Sequence, residues 1–391
     1  MKILHVTPYY APAYAFGGVV RSVEGMARAL ARRGHVVTVL TTDALDQETR
    51  ITGALSETLD DVRVIRIPNI SPRLRGRLNL STPAGMKQVA LALIPEGDVV
   101  HCHEFRTIEN LLVTPVAAAL NRPLLLSPHG TLARDTGRSR LKAAWDRLLS
   151  PAVALRFDSI IGLTPQEVEV AQTLWPRFGR RRIPPDFYVI PNGVDPDDYA
   201  GLPGRQAFRD RYRLGDVPMC LFMGRLHPRK GVDVLAQAFK QADVPGARLV
   251  IAGPDEGLLA TLQPMLDERI ILTGYLDGAD RLAAFAAADV LALPAVGEGL
   301  PVVVLEAMAA GLPVIISPGC HLPEVAAYGA GIEVEPAVEP LAAGLRDLLS
   351  NADKRATMGQ AARRLVRERF TWDAVAAQLE QVYSRLLRQS P

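Results

Sequence analysis

Cysteine is scarce: Cys102, Cys220 and Cys320 are the only three in 391 residues, far apart and with no CxxC pair. That excludes a disulfide framework or a zinc ribbon and suits a reducing, cytoplasmic setting. Runs of about eighteen apolar residues are missing too, so no segment is expected to span a membrane. The opening MKILHVTPYY has one Lys and too short an apolar stretch for a signal peptide, and it reads as a first strand. Net charge is only +2, which argues against nucleic acid as the main partner. GxGxxG, the P-loop GxxxxGK and HExxH are all absent, which weakens dinucleotide, P-loop and zinc-protease readings. There is no internal repeat and no low-complexity segment.

Apolar residues, in contrast, are plentiful at 48%, enough for sizeable cores, and the length is about twice that of a usual domain. Charge is uneven. Residues 1–195 carry 24 Lys and Arg against 18 Asp and Glu, and residues 196–391 carry 20 against 24. A mildly basic first half suits an anionic substrate or an acidic membrane surface, and chance drift between two domains explains it equally well.

Short apolar runs alternate with helical patterns in two series. KILHVT (2–7), HVVTVLT (35–41), VRVIRI (62–67), DVVH (98–101), PLLLS (123–127) and SIIGLT (159–164) form the first. MCLFMG (219–224), RLVIAG (248–253), RIILTG (269–274), DVLALP (289–294) and PVIIS (313–317) form the second. Strands read as continuous apolar runs when helices cover both faces of a parallel sheet. The expected fold is therefore α/β, with two doubly wound Rossmann-like domains and ligands at the carboxyl ends of the strands. The Pro-, Asp- and Gly-rich stretch 187–204 is the expected boundary, giving domains 1–195 and 196–371. In 372–388, Val375, Leu379, Val382 and Leu386 share one face that must pack on something. The helix 372–391 is expected to return to the first domain.

Four places carry chemistry. In GRLHPRKG (224–231), Arg225 and Lys230 occupy a Gly/Pro loop after a strand and suit a diphosphate. Gly17 and Gly18 follow the first strand at a helix mouth, where backbone can approach a phosphate; an ordinary strand-to-helix turn fits them equally. GEGLPVVVLEAMAAG (297–311) sets Glu298 in a glycine loop and Glu306 just inside an apolar helix, with Pro301 between them as an expected first helical residue. Carboxylates so placed pair well with vicinal hydroxyls, although a turn residue and a satisfied buried acid would account for a lone pair. HCHE (101–104) offers His101 and His103 at metal-ligand spacing, which with His129 raises the alternative of a metal-dependent hydrolase. Asp195-Pro196-Asp197 spells a DxD but sits in a turn-rich linker, where Asp shapes the chain.

Taken in order, GRLHPRKG, EGLPVVVLE with EAMAAGLPV, VIPNGVD (189–195) and the first-loop glycines resemble the retaining GT-B glycosyltransferases of family 4. The resemblance covers nearly the whole chain. It implies transfer of a hexose-type sugar from a UDP-, GDP- or ADP-sugar to an acceptor hydroxyl, with no metal or other cofactor. Arg225 and Lys230 would hold the diphosphate and stabilise the leaving group. Glu306 would bind ribose. Glu298, with the backbone at Gly299 and Leu300, would bind the transferred sugar. Gly17 and Gly18 would approach the phosphates, Tyr275 and Leu276 the base, and His129 would face the donor sugar. His103, Glu104 and Arg106 are placed on the acceptor side. The acceptor implied is a glycan or lipid-linked intermediate of envelope or extracellular polysaccharide assembly, with a small-molecule acceptor as the alternative. The basic, partly amphipathic stretches 134–157 and 175–182 would rest on the inner face of an anionic membrane, or else simply cover the sheet.

Overall fold

The computed structural model describes residues 1–71, 74, 80–133, 139–179 and 183–389. They form two compact units, Met1–Gly193 with the segment from Trp372 onward, and Val194–Thr371. Each is a doubly wound α/β unit built on its own sheet.

In the first unit the strands are β1 (Lys2–Val6), β2 (Val36–Thr42), β3 (Ser56–Leu59), β4 (Val62–Ile67), β5 (Val99–His103), β6 (Leu124–Ser127), β7 (Ser159–Gly162) and β8 (Asp186–Val189). Their order is β3-β4-β2-β1-β5-β6-β7-β8. All neighbours are parallel except β3 and β4. β5 and β6 are buried along their whole length, as strands covered on both faces must be. The helix Gly18–Arg32 packs with the helix Trp372–Gln389 on one face. Val375, Leu379, Val382 and Leu386 join Ile3, Val23, Met26 and Leu30 in one core. Trp372 fits because Gly25 has no side chain: a Cβ there would fall inside the indole.

In the second unit β9 (Met219–Met223), β10 (Arg248–Ala252), β11 (Ile270–Gly274), β12 (Val290–Leu293), β13 (Val314–Ile316) and β14 (Gly331–Glu333) form an all-parallel sheet in the order β11-β10-β9-β12-β13-β14. The order reverses at β9, between β10 and β12, which is the switch point where open α/β sheets bind ligands.

The units part between Gly193 and Val194, inside the stretch 187–204, and Phe187–Val189 of that stretch belongs to β8 and pairs with Ile160–Gly162. Pro301 takes the position before the first helical residue of Val302–Ala309 rather than the first within it. Asp195 opens the short turn Pro196–Tyr199. Arg134, Arg138 and Arg180–Arg182, which weighed in the membrane-facing expectation, lie outside the described residues.

Candidate active site

In the second unit, the β9 loop and the β12 loop bring the expected residues together. Gly224 and Leu226 are tied to Ala252, the last residue of β10, and to Pro254 beyond it by backbone hydrogen bonds of 2.9 and 2.8 Å. Val296 N–H donates to the Arg229 carbonyl at 2.8 Å, and the Arg229 guanidinium donates to the Gly297 carbonyl. The two loops are thus stitched to each other. Lys230 Nζ lies 2.7 Å from Glu298 Oε2, with the side chains 14% and 17% exposed. Arg225, more open at 42%, donates from one nitrogen to both oxygens of Glu256 at 2.9 Å. Glu298 is fixed through its backbone as well: its N–H donates to Gly319 and its carbonyl lies 2.8 Å from His321 Nδ1.

Glu306 sits deeper, 3% exposed within Val302–Ala309. Tyr199 donates its hydroxyl proton to Oε1 at 2.8 Å, and the Arg281 guanidinium pairs with Oε2. This carboxylate is a satisfied buried acid, and any ribose it reads is read from inside that network. Leu300 and Leu276 are buried, Gly299 is half-buried, and Tyr275 is 45% exposed just past β11. Tyr199, Arg281, Glu256 and His321 were missed in the sequence because nothing local marks them; each comes from another loop or helix of the same unit.

In the first unit, Gly17 caps the helix Gly18–Arg32 with φ 100°, a region that favours glycine, and Gly18 is exposed at the helix start. A histidine cluster spans β1, β5 and the end of β6. His101 and His103 alternate with Cys102 along β5 and so share a face, and the parallel register sets His5 beside His101. His5 Nδ1 is 2.9 Å from His103 Nε2, and His103 Nδ1 is 2.9 Å from His129 Nε2. His101 bonds Tyr383 through Nδ1 and Ser127 through Nε2, each at 2.8 Å. Burial holds all four rings neutral. The pKa falls to about 3 at His5, by burial first and then by the nearness of His129, which disfavours a second proton in the cluster. It falls to about 4 at His129, by burial, and well below the ordinary value at His101 and His103.

His103 is corrected: at 0% exposure it cannot touch an acceptor. His129 is 8% exposed, takes a left-handed conformation (φ 54°), and is followed by Gly130, whose N–H donates to buried Glu167. Arg106 is held by its neighbours. It donates to both oxygens of Asp146 at 2.8 and 2.9 Å and to the carbonyls of Thr131 and Leu132. It clamps the loop after β6 instead of offering a free charge. Glu104 is half-buried with φ 59°, and its carbonyl accepts from Asn110.

Nitrogens of His5, His101 and His103 lie within 4.8 Å of one another, a spacing an ion would fit. The contacts argue for hydrogen bonds. Two imidazoles on one tetrahedral zinc stand roughly 3.3 Å apart, given Zn–N bonds of about 2.0 Å, and His5 and His103 are closer. Both nitrogens of His101 already have partners.

Two doubly wound units, with paired cations and carboxylates at the β9 switch point of one, define the GT-B class of group-transfer enzyme. The family models agree: "Glycosyltransferase Family 4" matches residues 16–198 and "Glycosyl transferases group 1" matches residues 205–365. A GDP-mannose-dependent alpha-(1-6)-phosphatidylinositol monomannoside mannosyltransferase of Mycobacterium tuberculosis is 30% identical over 97% of each chain. An uncharacterized glycosyltransferase of Methanocaldococcus jannaschii is 29% identical over 98% of each. Among solved structures, Anabaena Alr3699/HepE in complex with UDP-glucose superposes with a TM-score of 0.75 at 20% identity, covering 98% of this chain and all of that one. The chain belongs to the group 1 glycosyltransferases of the GT-B fold. No helix among the described residues is long and apolar enough to cross a membrane.

Proposed function

We propose that this glycosyltransferase moves a hexose from a nucleoside diphosphate sugar to a hydroxyl of a glycan or lipid-linked acceptor, with retention and without a metal ion. The observation that carries this reading is the Lys230–Glu298 pair at 2.7 Å on two stitched loops beside β9. An ammonium and a carboxylate held this way suit the two ends of one ligand, phosphate for Lys230 and sugar hydroxyls for Glu298. Arg225, pinned but accessible, supplies the second cation for the departing diphosphate. Two positive side chains then do what a metal would otherwise do for the leaving group. In this scheme the acceptor hydroxyl attacks the face the diphosphate leaves, and a phosphate oxygen takes its proton. Glu306, Tyr275 and Leu276, with the backbone at Gly299 and Leu300, would complete the donor site in the second unit.

The full-length relative that uses GDP-mannose and a phosphatidylinositol mannoside supports a GDP-sugar and a lipid-linked acceptor; the UDP-glucose complex keeps UDP-sugars in view. Membrane contact fits the helix Ser139–Leu148, where Leu141 and Leu148 are 46% and 74% exposed beside Arg140 and Arg147. Absence of co-flotation with anionic vesicles at low salt would exclude that contact.

The test is a thermal-shift panel of UDP, GDP, ADP and their common sugars with EDTA throughout. At 100 times its dissociation constant the true donor adds about 2.7 kcal/mol to the unit that binds it. One nucleotide raising the melting temperature despite EDTA is the expected result. A shift that appears only with a divalent ion would overturn metal-free transfer, and product retaining the donor's anomeric configuration by NMR checks the stereochemistry.

A further inference from the structure

Arg225 is paired, yet it holds back the part of its side chain best suited to a ligand. Glu256 takes both of its contacts from a single nitrogen, Nη1, at 2.9 Å to each carboxylate oxygen. Nε and Nη2 form the edge whose parallel N–H bonds match two oxygens of a carboxylate or phosphate. In Arg225 that edge has no partner among the described residues. Elsewhere in the chain it is used. Arg33, Arg50, Arg66 and Arg106 each give Nε and Nη2 to one carboxylate. Arg211 and Arg269 also pair with acids through Nη1 alone, but those acids are 53% and 78% exposed. Glu256 is only 22% exposed, while Arg225 is open at 42%.

The loop that carries Glu256 is fixed in place. Glu256 N–H donates to the Leu226 carbonyl at 3.1 Å, and Leu226 N–H donates to the Pro254 carbonyl at 2.8 Å. Beside it, Asp255 accepts from the N–H groups of Gly257, Leu258 and Leu259 at 2.9, 3.0 and 3.0 Å, which closes the turn. Gly253 completes the fit, since a Cβ there would fall on the Gly224 carbonyl oxygen. The loops after β9 and β10 therefore hold Arg225 and Glu256 as one piece, entirely within the second unit. A partly exposed ion pair adds little stability, so stability does not account for this construction.

We propose that Glu256 is a positioning residue: it holds Arg225 by Nη1 so that the Nε–Nη2 edge meets two oxygens of the donor's diphosphate. This deepens the proposed function and rests on Arg225 binding that diphosphate. The ligand chemistry is a pair of phosphate oxygens, supplied by a nucleoside diphosphate or by inorganic pyrophosphate. Glu256 touches no ligand and stays bonded to Arg225 when the ligand is bound. Its charge opposes phosphate binding; what it contributes is direction.

Calorimetric titration of the full-length protein, with EDTA present, separates direction from charge. The ligand is the nucleoside diphosphate picked out by the thermal-shift panel. Glu256→Ala should weaken its binding roughly tenfold, the scale of one hydrogen bond to a charged group. Glu256→Gln keeps an acceptor for Nη1 and should recover most of that loss. In an Arg225→Ala background, removing Glu256 should change affinity less than about twofold, because two residues that act as a unit are not additive. A loop that matters only for its own structure would lose as much in both backgrounds, and that result would overturn the proposal. So would Glu256→Gln binding no better than Glu256→Ala. Unchanged or tighter binding in Glu256→Ala would overturn it as well, making Glu256 a bystander or a competitor of phosphate.

Inorganic pyrophosphate, titrated into the same variants, keeps this proposal apart from the transferase reading. If pyrophosphate binds with the same dependence on Glu256 and no nucleotide binds, the proposed function fails and the aimed edge stands. If neither binds the wild type, both fail.

Discussion

Lys230 and Glu298 show what one ion pair can and cannot mean. Both side chains keep some solvent access, at 14% and 17%, so the pair by itself adds little to stability. Its value lies in what displaces it. In the proposed function, a diphosphate drawing Lys230 away would release Glu298 toward hydroxyls, so donor binding would exchange one pairing for two. Replacing Lys230 by Ala should lower turnover roughly 10²–10³-fold, the scale for losing one donor to developing charge, and Arg225→Ala should do the same. Near-normal turnover in both would remove them from the leaving-group role. Glu109 gives a residue-scale prediction of another kind. Fully buried beside Ser81, its carboxyl is raised to about 7, by burial first, against weaker lowering by hydrogen bonds. Between 4.5 and 7 the unfolded chain ionises this group while the folded chain keeps it neutral, so stability falls as pH rises through that window and levels off above it. The penalty above that window is about 3 kcal/mol, set by the gap between 4.5 and about 7. Glu109→Gln removes it: the variant should gain on the wild type from pH 4.5 to 7 in urea melts. A difference that does not change with pH would refute the neutral carboxyl.

At the scale of elements, the strands readable in the sequence are those the fold buries. MCLFM is enclosed along its length, so it needs apolar residues at successive positions and announces itself; VVHCH is enclosed too, but its histidines hid the strand beyond His101. The strands that went unread lie at or near sheet edges. β3 is SETL with alternating exposure, β8 is DFYV with no buried residue, and β14 is the three-residue GIE. A half-wet edge has no use for a continuous apolar run. The site divides in the same way. Arg225, Lys230, Glu298 and Glu306 lie in short local patterns, and so were legible. Their partners Glu256, Tyr199 and Arg281 are tertiary neighbours, distant in the chain, that no spacing encodes. His5 lies between: β1 was legible, but only the parallel register sets it against β5. The helix pair Gly18–Arg32 and Trp372–Gln389 yields the prediction proper to this scale. Gly25 is open to no side chain, because Trp372 fills the space. Gly25→Ala should cost at least about 1–3 kcal/mol by overpacking, despite the better helix propensity of Ala. Trp372→Leu in the same background should recover part of the loss, measured by chemical denaturation. Wild-type stability for Gly25→Ala alone would show the indole moves aside freely.

For the whole molecule the chain path makes the strongest statement. The second unit is continuous, Val194–Thr371, and its two ends meet: Val194 N–H donates to the Phe370 carbonyl at 2.8 Å, and Val194 pairs with Thr371. Its six strands form one sheet of their own. The first unit is interrupted, since Trp372–Gln389 fills its core after the chain has left it. An order of assembly is expected from this: residues 194–371 hold a complete sheet, whereas residues 1–193 lack a helix that buries Trp372, Val375, Leu379, Val382, Tyr383 and Leu386. At about 1.5–3 kcal/mol for each large apolar side chain, that loss rivals the whole stability of a domain. A fragment of residues 194–371 should therefore be monomeric and cooperative in thermal unfolding, while residues 1–193 alone should aggregate. Joining 193 to 372 through a short Gly/Ser linker should recover solubility. The same fragment divides the labour in the proposed function. Arg225, Lys230, Glu298 and Glu306 all lie within it, so it should keep the thermal shift with the nucleotide that stabilises the full chain, EDTA present. A folded fragment blind to every nucleotide would move the principal donor contacts into residues 1–193, and Lys230–Glu298 would then be an ion pair of the loops and nothing more.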